Sequence, residues 1–176
     1  FVQLNTNGLR LAADPDYAVQ LKEAGLASVF LQFDGLSAAS HQALRGRDLR
    51  AVKEAAIRHA AAAGLGIVLV PTLVPGVNTT EVGAIIDYAV RFAPAVRGVH
   101  FQPVSYFGRF PQAPADGDRL TLPEVIALIA AQSGGAIRPE HFAPPACEHA
   151  LCSFHGTFLI DEDGCLQPLG NRQPAC

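Results

Sequence analysis

The chain contains no methionine, not even at position 1. Reading frames begin with Met, and Phe1 opens directly into a strand-like run, so the expectation is a piece of a larger protein. Charge is scarce as well: 16% of the 176 residues are charged and 49% hydrophobic, with a formal net charge of −3. That balance argues against disorder. With no basic stripe, it also argues against a nucleic-acid partner. No apolar run reaches the ~18 residues of a membrane span. The nearest approach, Ala55 to Val70, is broken by Arg58, His59, Gly64 and Gly66. Lysine is limited to Lys22 and Lys53, both in helix-like segments, which counts against an aldolase-type barrel with a strand-end Schiff base. Four cysteines crowded near the end do not make a disulfide framework for a core this size, and a cytoplasmic location is expected.

The sequence does hold a repeated unit. Apolar, β-rich runs stop at small polar or glycine-containing clusters, and helix-like segments follow. Such runs begin near 2, 28, 67 and 99 and end at Asn5-Thr6-Asn7-Gly8, Gln32-Phe33-Asp34-Gly35, Pro71-Thr72 and Ser105-Tyr106. Spacings of about 25 to 40 residues fit βα units with right-handed crossovers. Helix signals lie between them. Asp14-Pro15 opens a helix that stops at Gly25, Ser37 to Leu44 is a short helix, and Asp48 opens one reaching about Ala63. Asn78 with Glu81, and Thr121 with Glu124, read as capping boxes. The strand Val99 to Val104 is expected to be continuous. Four βα units cannot close a barrel of eight; an open doubly wound sheet or part of a larger barrel remains, and the missing Met favours the latter. We place a boundary near 134, with a barrel portion over 1–134 and a cysteine-bearing appendage over 135–176. The appendage contains a hairpin turned at Asp163-Gly164.

Polar groups at the carboxyl ends of parallel strands are where α/β proteins bind ligands. Gln32 and Asp34 alternate with Phe33 and so share a face; a carboxylate buried there needs a partner or a ligand. Arg45 and Arg47 could hold a carboxylate, with Lys53 as a competitor and a solvated surface pair as the plainer reading. Asn5 and Asn7 sit at a strand tip, though Asn-Gly is also ordinary turn chemistry. Thr72 lies at the third tip, and His100 and Gln102 share a face of the fourth strand, suited to the edge of a heterocycle. Cys147, Cys152, Cys165 and Cys176 could ligate an iron–sulfur cluster or zinc, or be incidental thiols. A zinc-binding α/β module without redox chemistry is the alternative to an enzyme.

The ordered set Asn5-Thr6-Asn7-Gly8, Gln32-Phe33-Asp34-Gly35, His41 through Leu44-Arg45-Gly46-Arg47, and Pro71-Thr72-Leu73-Val74 resembles successive strand-end motifs of the radical SAM superfamily. The likeness is closer to the subgroup of pterin methylases of methanopterin biosynthesis, and it covers nearly the whole chain. It implies about strands 3 to 6 of a partial (β/α) TIM-type barrel. It also implies S-adenosylmethionine and a [4Fe-4S] cluster as cofactors, and a small heterocyclic substrate. Asn5, Asn7, Gln32, Asp34, Arg45, Thr72, His100 and Gln102 would be the cofactor-binding candidates. An auxiliary [4Fe-4S] cluster or zinc at the four cysteines is plausible by the same resemblance. One departure stands out: the Cys-x3-Cys-x2-Cys loop that ligates the radical-generating cluster is absent. The chain alone is therefore expected to be catalytically silent. Its exposed strand edges are expected to promote self-association.

Overall fold

The computed structural model describes residues 2–108, 113–145 and 152–169. Four strands, β1 (Gln3–Thr6), β2 (Ser28–Gln32), β3 (Gly66–Val70) and β5 (Val96–Val99), form one sheet in the order β1-β2-β3-β5. All three pairings are parallel. Beyond the main sheet, β4 (Thr72–Leu73) pairs in parallel with β6 (Gln102–Pro103). The α/β class and the parallel sheet match the expectation. The continuous strand expected over 99–104 is divided, β5 ending at Val99 and β6 beginning at Gln102. The backbone ladder nevertheless continues across the gap: His100 N–H donates to Leu69 O at 2.7 Å, Gln102 N–H to Pro71 O at 2.9 Å and Val104 N–H to Leu73 O at 2.9 Å. Pro71, which has no N–H to donate, sits at the break between β3 and β4.

Between the strands lie α1 (Leu9–Ala13), α2 (Pro15–Glu23), α3 (Ala38–Arg45), α4 (Arg50–Ala62) and α5 (Val82–Arg91), with α6 (Leu122–Gln132) following β6. Side-chain caps set three of these six starts, those of α2, α3 and α6. Asp14 accepts from Tyr17 N–H with Pro15 in the first turn, and Thr121 and Glu124 close a capping box on α6. Two expected caps are not formed: α4 is preceded by Leu49 rather than Asp48, with no side-chain cap, and Asn78 makes none either, α5 beginning at Val82 after a 3-10 turn. Asn78 and Glu81 serve other partners, described below.

The two faces of the sheet differ. Val29, Leu31, Phe33, Ile67 and Leu69 are 0–2% exposed and pack with Leu11, Ala18, Ala56, Ile57, Ile85 and Ala89 from the helices. Phe30, Gln32, Val68 and Val70, on the opposite face, are only partly buried. A second apolar cluster joins Leu73, Val82, Val125, Ile129 and Ile137, and takes in Phe142, Phe158 and Leu166. The last two belong to β7 (Phe158–Ile160) and β8 (Leu166–Pro168), the expected antiparallel hairpin, with Gly164 left-handed (φ 79°) in its turn. Gly8 explains its own identity. It is left-handed (φ 78°), and a Cβ there would lie 2.6 Å from Leu31 Cδ1 inside the core. Among the described residues no helix is long and apolar enough to cross a membrane.

Candidate active site

At the carboxyl end of β2 the chain leaves the sheet through Phe33, Asp34 and Gly35. Asp34 is completely buried, and its carboxylate is gripped by Arg45 from the last turn of α3. Arg45 Nε donates to Oδ2 and Nη2 to Oδ1, each at 2.7 Å, the bidentate fork that makes such pairs strong. With its amide oxygen turned toward the guanidinium, Gln32 accepts from Arg45 Nη1 at 3.0 Å. Arg45 keeps 31% of its side chain exposed, so this buried anchor presents a cation at the surface. The Asp34 hydrogen bonds and charge raise the guanidinium pKa further. Arg47 is exposed.

Lys53 on α4 is the largest fully buried side chain, 1% exposed, and donates from Nζ to Asn7 O at 2.7 Å. Burial pulls its pKa down to about 8, the Asp34 carboxylate opposes that fall, and Arg45 adds to it. Lys53 thus holds the tip of β1 through Asn7 O and feels the charges of Asp34 and Arg45, and being buried it is no competitor for a ligand carboxylate. Asn7 itself does turn work: its Oδ1 accepts from Leu9 N–H at 3.1 Å, while Thr6 Oγ1 accepts from Gly8 N–H.

Two residues read in the sequence as helix caps brace this end of the sheet. Asn78, completely buried, donates from Nδ2 to Asp34 O at 2.7 Å and Thr72 O at 2.8 Å, and accepts from Val74 N–H at 2.8 Å. Glu81 reaches across to the start of α3, where its carboxylate accepts from the N–H groups of Leu36 and Ser37 and from the hydroxyls of Ser37 and Ser40. Burial alone would raise the Glu81 pKa; these donors outweigh it and hold the group below its ordinary value. Buried His41 places Nε2 3.0 Å from Gly35 O. Long-range partners of this kind leave little trace in local sequence. The signal available for Asn78 was its place at the end of the Val74-Pro75-Gly76-Val77 turn.

The remaining candidates make no side-chain bond to that network, although Thr72 O accepts from Asn78 Nδ2. Parallel register puts Asn5 beside Phe30 and Thr72 beside Gln102. His100 lies near Phe30, their ring centroids 6.1 Å apart. Asn5, His100 and Gln102 are exposed, and Thr72 is half-buried. Thr72, His100 and Gln102 line a groove of about 940 Å³ that runs along β5 and β6 under α6 and the hairpin. The sequence candidates therefore divide into a braced cluster (Gln32, Asp34, Arg45, with Asn7 behind it), a set lining the groove (Thr72, His100, Gln102) and the exposed Asn5 on β1.

Of the four cysteines, Cys152 and Cys165 are exposed free thiols, while Cys147 and Cys176 lie outside the described residues. Among the described residues no three His, Cys, Asp or Glu side chains converge as a metal site.

No family model matches the chain. Among curated proteins it is similar to a 7,8-dihydro-6-hydroxymethylpterin dimethyltransferase of Methanocaldococcus jannaschii, 38% identical over 189 residues, covering 96% of this chain and 37% of that protein. It is also similar to a GTP 3',8-cyclase of Corynebacterium glutamicum strain R, 31% identical over 153 residues, covering 85% of this chain and 39% of the relative. A second cyclase from that species is 32% identical over 129 residues. The chain spans between about a third and two fifths of the length of these relatives.

Proposed function

Because the chain belongs to the radical SAM superfamily, we propose that it is the cofactor- and substrate-holding part of a methyltransferase acting on a pterin-like or other small heterocycle. On this reading the sequential parallel sheet is an arc of a (β/α) barrel with its half-buried face inward. The observation that carries the proposal is the Gln32–Asp34–Arg45 cluster. A partly exposed guanidinium, held rigid by a buried carboxylate at a strand tip, suits the carboxylate of an amino-acid-bearing cofactor. S-adenosylmethionine, when bound, supplies a methyl-bearing sulfonium. Arg45 would bind its carboxylate, Asp34 and Gln32 would hold Arg45 in place, and Asn5 on the open face offers an amide to the cofactor. The helix layer over Leu31 and Leu69 keeps water from the other side of the sheet.

The residues present do not fit the radical-generating cluster, since the 176 residues hold no Cys-x3-Cys-x2-Cys run. On this reading the chain by itself does not cleave S-adenosylmethionine. The dimethyltransferase relative is the reason for preferring methyl transfer to a pterin. Ligation of an auxiliary cluster or zinc by the C-terminal cysteines, pairing of copies along the open edge of β1, and a cytoplasmic location belong to the same proposal.

The test is calorimetric titration of the chain with S-adenosylhomocysteine, which retains the carboxylate and adenosine. Wild type should bind, and Arg45→Ala should weaken binding at least roughly tenfold, the value of one lost charge-assisted hydrogen bond. Equal affinity in the two proteins would remove Arg45 from the cofactor site.

A further inference from the structure

Polar side chains near the strand tips come in two kinds. Around β2 they are mutually satisfied: Asp34 by Arg45, Gln32 by Arg45, and Asn78 by three backbone groups. Along β4 and β6 they are not. The hydroxyl of Thr72, the imidazole nitrogens of His100 and the carboxamide of Gln102 have no hydrogen-bond partner among the described residues, yet all three line the same groove. Gly98 lies in that groove too, and a Cβ on it would meet nothing within 4 Å. Bare backbone beside an exposed imidazole leaves a flat, open floor.

The volume, about 940 Å³, lies within the range of small-molecule sites, about 300–1,000 Å³. Among the described residues the tip carries no Lys, Arg, Asp or Glu in its lining. Gln102 offers a donor and an acceptor side by side, Thr72 a hydroxyl that does either, and His100 a ring face for stacking. The cation in the lining, Arg97, lies at the other end, its guanidinium over Gly66 where the strands begin. S-adenosylmethionine carries a carboxylate and needs a cation near it, which the Arg45 cluster has and this tip lacks. We propose that the groove along β5 and β6 seats a neutral, planar nitrogen heterocycle as the substrate. Its lactam or aminopyrimidine edge is read by Gln102 and Thr72, and its face lies on His100 and the Gly98 backbone. This inference rests on the methyltransferase reading, and it moves Thr72, His100 and Gln102 from the cofactor to the substrate.

The experiment is equilibrium dialysis of the chain against 7,8-dihydro-6-hydroxymethylpterin, with S-adenosylhomocysteine measured in parallel. Wild type should take up the pterin. Gln102→Ala should weaken uptake roughly tenfold by removing the edge contacts, and Gly98→Leu should abolish it by filling the floor. S-adenosylhomocysteine affinity should stay within about twofold in both variants, as for sites that share no partners. Gln102 is exposed, so its truncation carries the test even if Gly98→Leu disturbs the strand. Pterin uptake without S-adenosylhomocysteine binding would support the groove and sink the cofactor reading alone. No uptake by wild type, equal uptake by the variants, or loss of S-adenosylhomocysteine affinity in them would each overturn the proposal.

Discussion

Asp34→Ala lowers stability by about 3 kcal/mol, the low end for breaking a buried ion pair, and it removes the cofactor affinity carried by Arg45. The low end applies because Arg45 is 31% exposed and can regain water once its partner is gone. Lys53 cannot: it is buried and loses the charge that opposes its depressed pKa. Asp34→Asn should be milder in stability, since it keeps volume and one acceptor, and nearly as damaging to ligand binding, since it frees the guanidinium from its fork. Urea unfolding gives the first quantity and S-adenosylhomocysteine titration the second. Stability within experimental error of wild type would mean that the pair braces nothing.

Glu81→Ala should cost about 2 kcal/mol at neutral pH, because it leaves the N–H groups of Leu36 and Ser37 at the start of α3 without their carboxylate acceptor, while the Ser37 and Ser40 hydroxyls keep Ser40 Oγ and Val77 O as alternatives. The group's pKa is lower folded than unfolded. Its contribution is therefore complete above the ordinary carboxylate value and is lost as pH falls through the folded pKa. The prediction is a steep acid limb in the wild-type stability curve and a shallower one in Glu81→Ala, with the two converging at low pH. Parallel acid limbs would remove Glu81 from the linkage.

These residues also show what the sequence could and could not reveal. Helix starts at Pro15 and Leu122 were legible because a cap and its partner lie three residues apart. The strand tips were legible because burial on one face shows as an apolar run. The bracing was not, because it is made across the chain: Glu81 meets Ser37 from 44 positions away, and Asn78 meets Asp34 from the same distance. Both residues carry good capping chemistry, and tertiary partners claimed it. Lys53 counts as a polar position in any helical pattern, yet α4 turns it inward onto Asn7. The division between a braced cluster and an open groove depends on which side chains find partners, a property of the folded chain alone.

On the proposed reading the carboxyl ends of β1, β2 and β3 form the S-adenosylmethionine site. Amide hydrogen exchange, with and without S-adenosylmethionine, tests it most directly. Added protection is expected in segments 5–8, 32–37 and 74–78 and at Arg45, with the hairpin at 158–168 unchanged. Protection confined to the hairpin, or none at saturating S-adenosylmethionine, would contradict it.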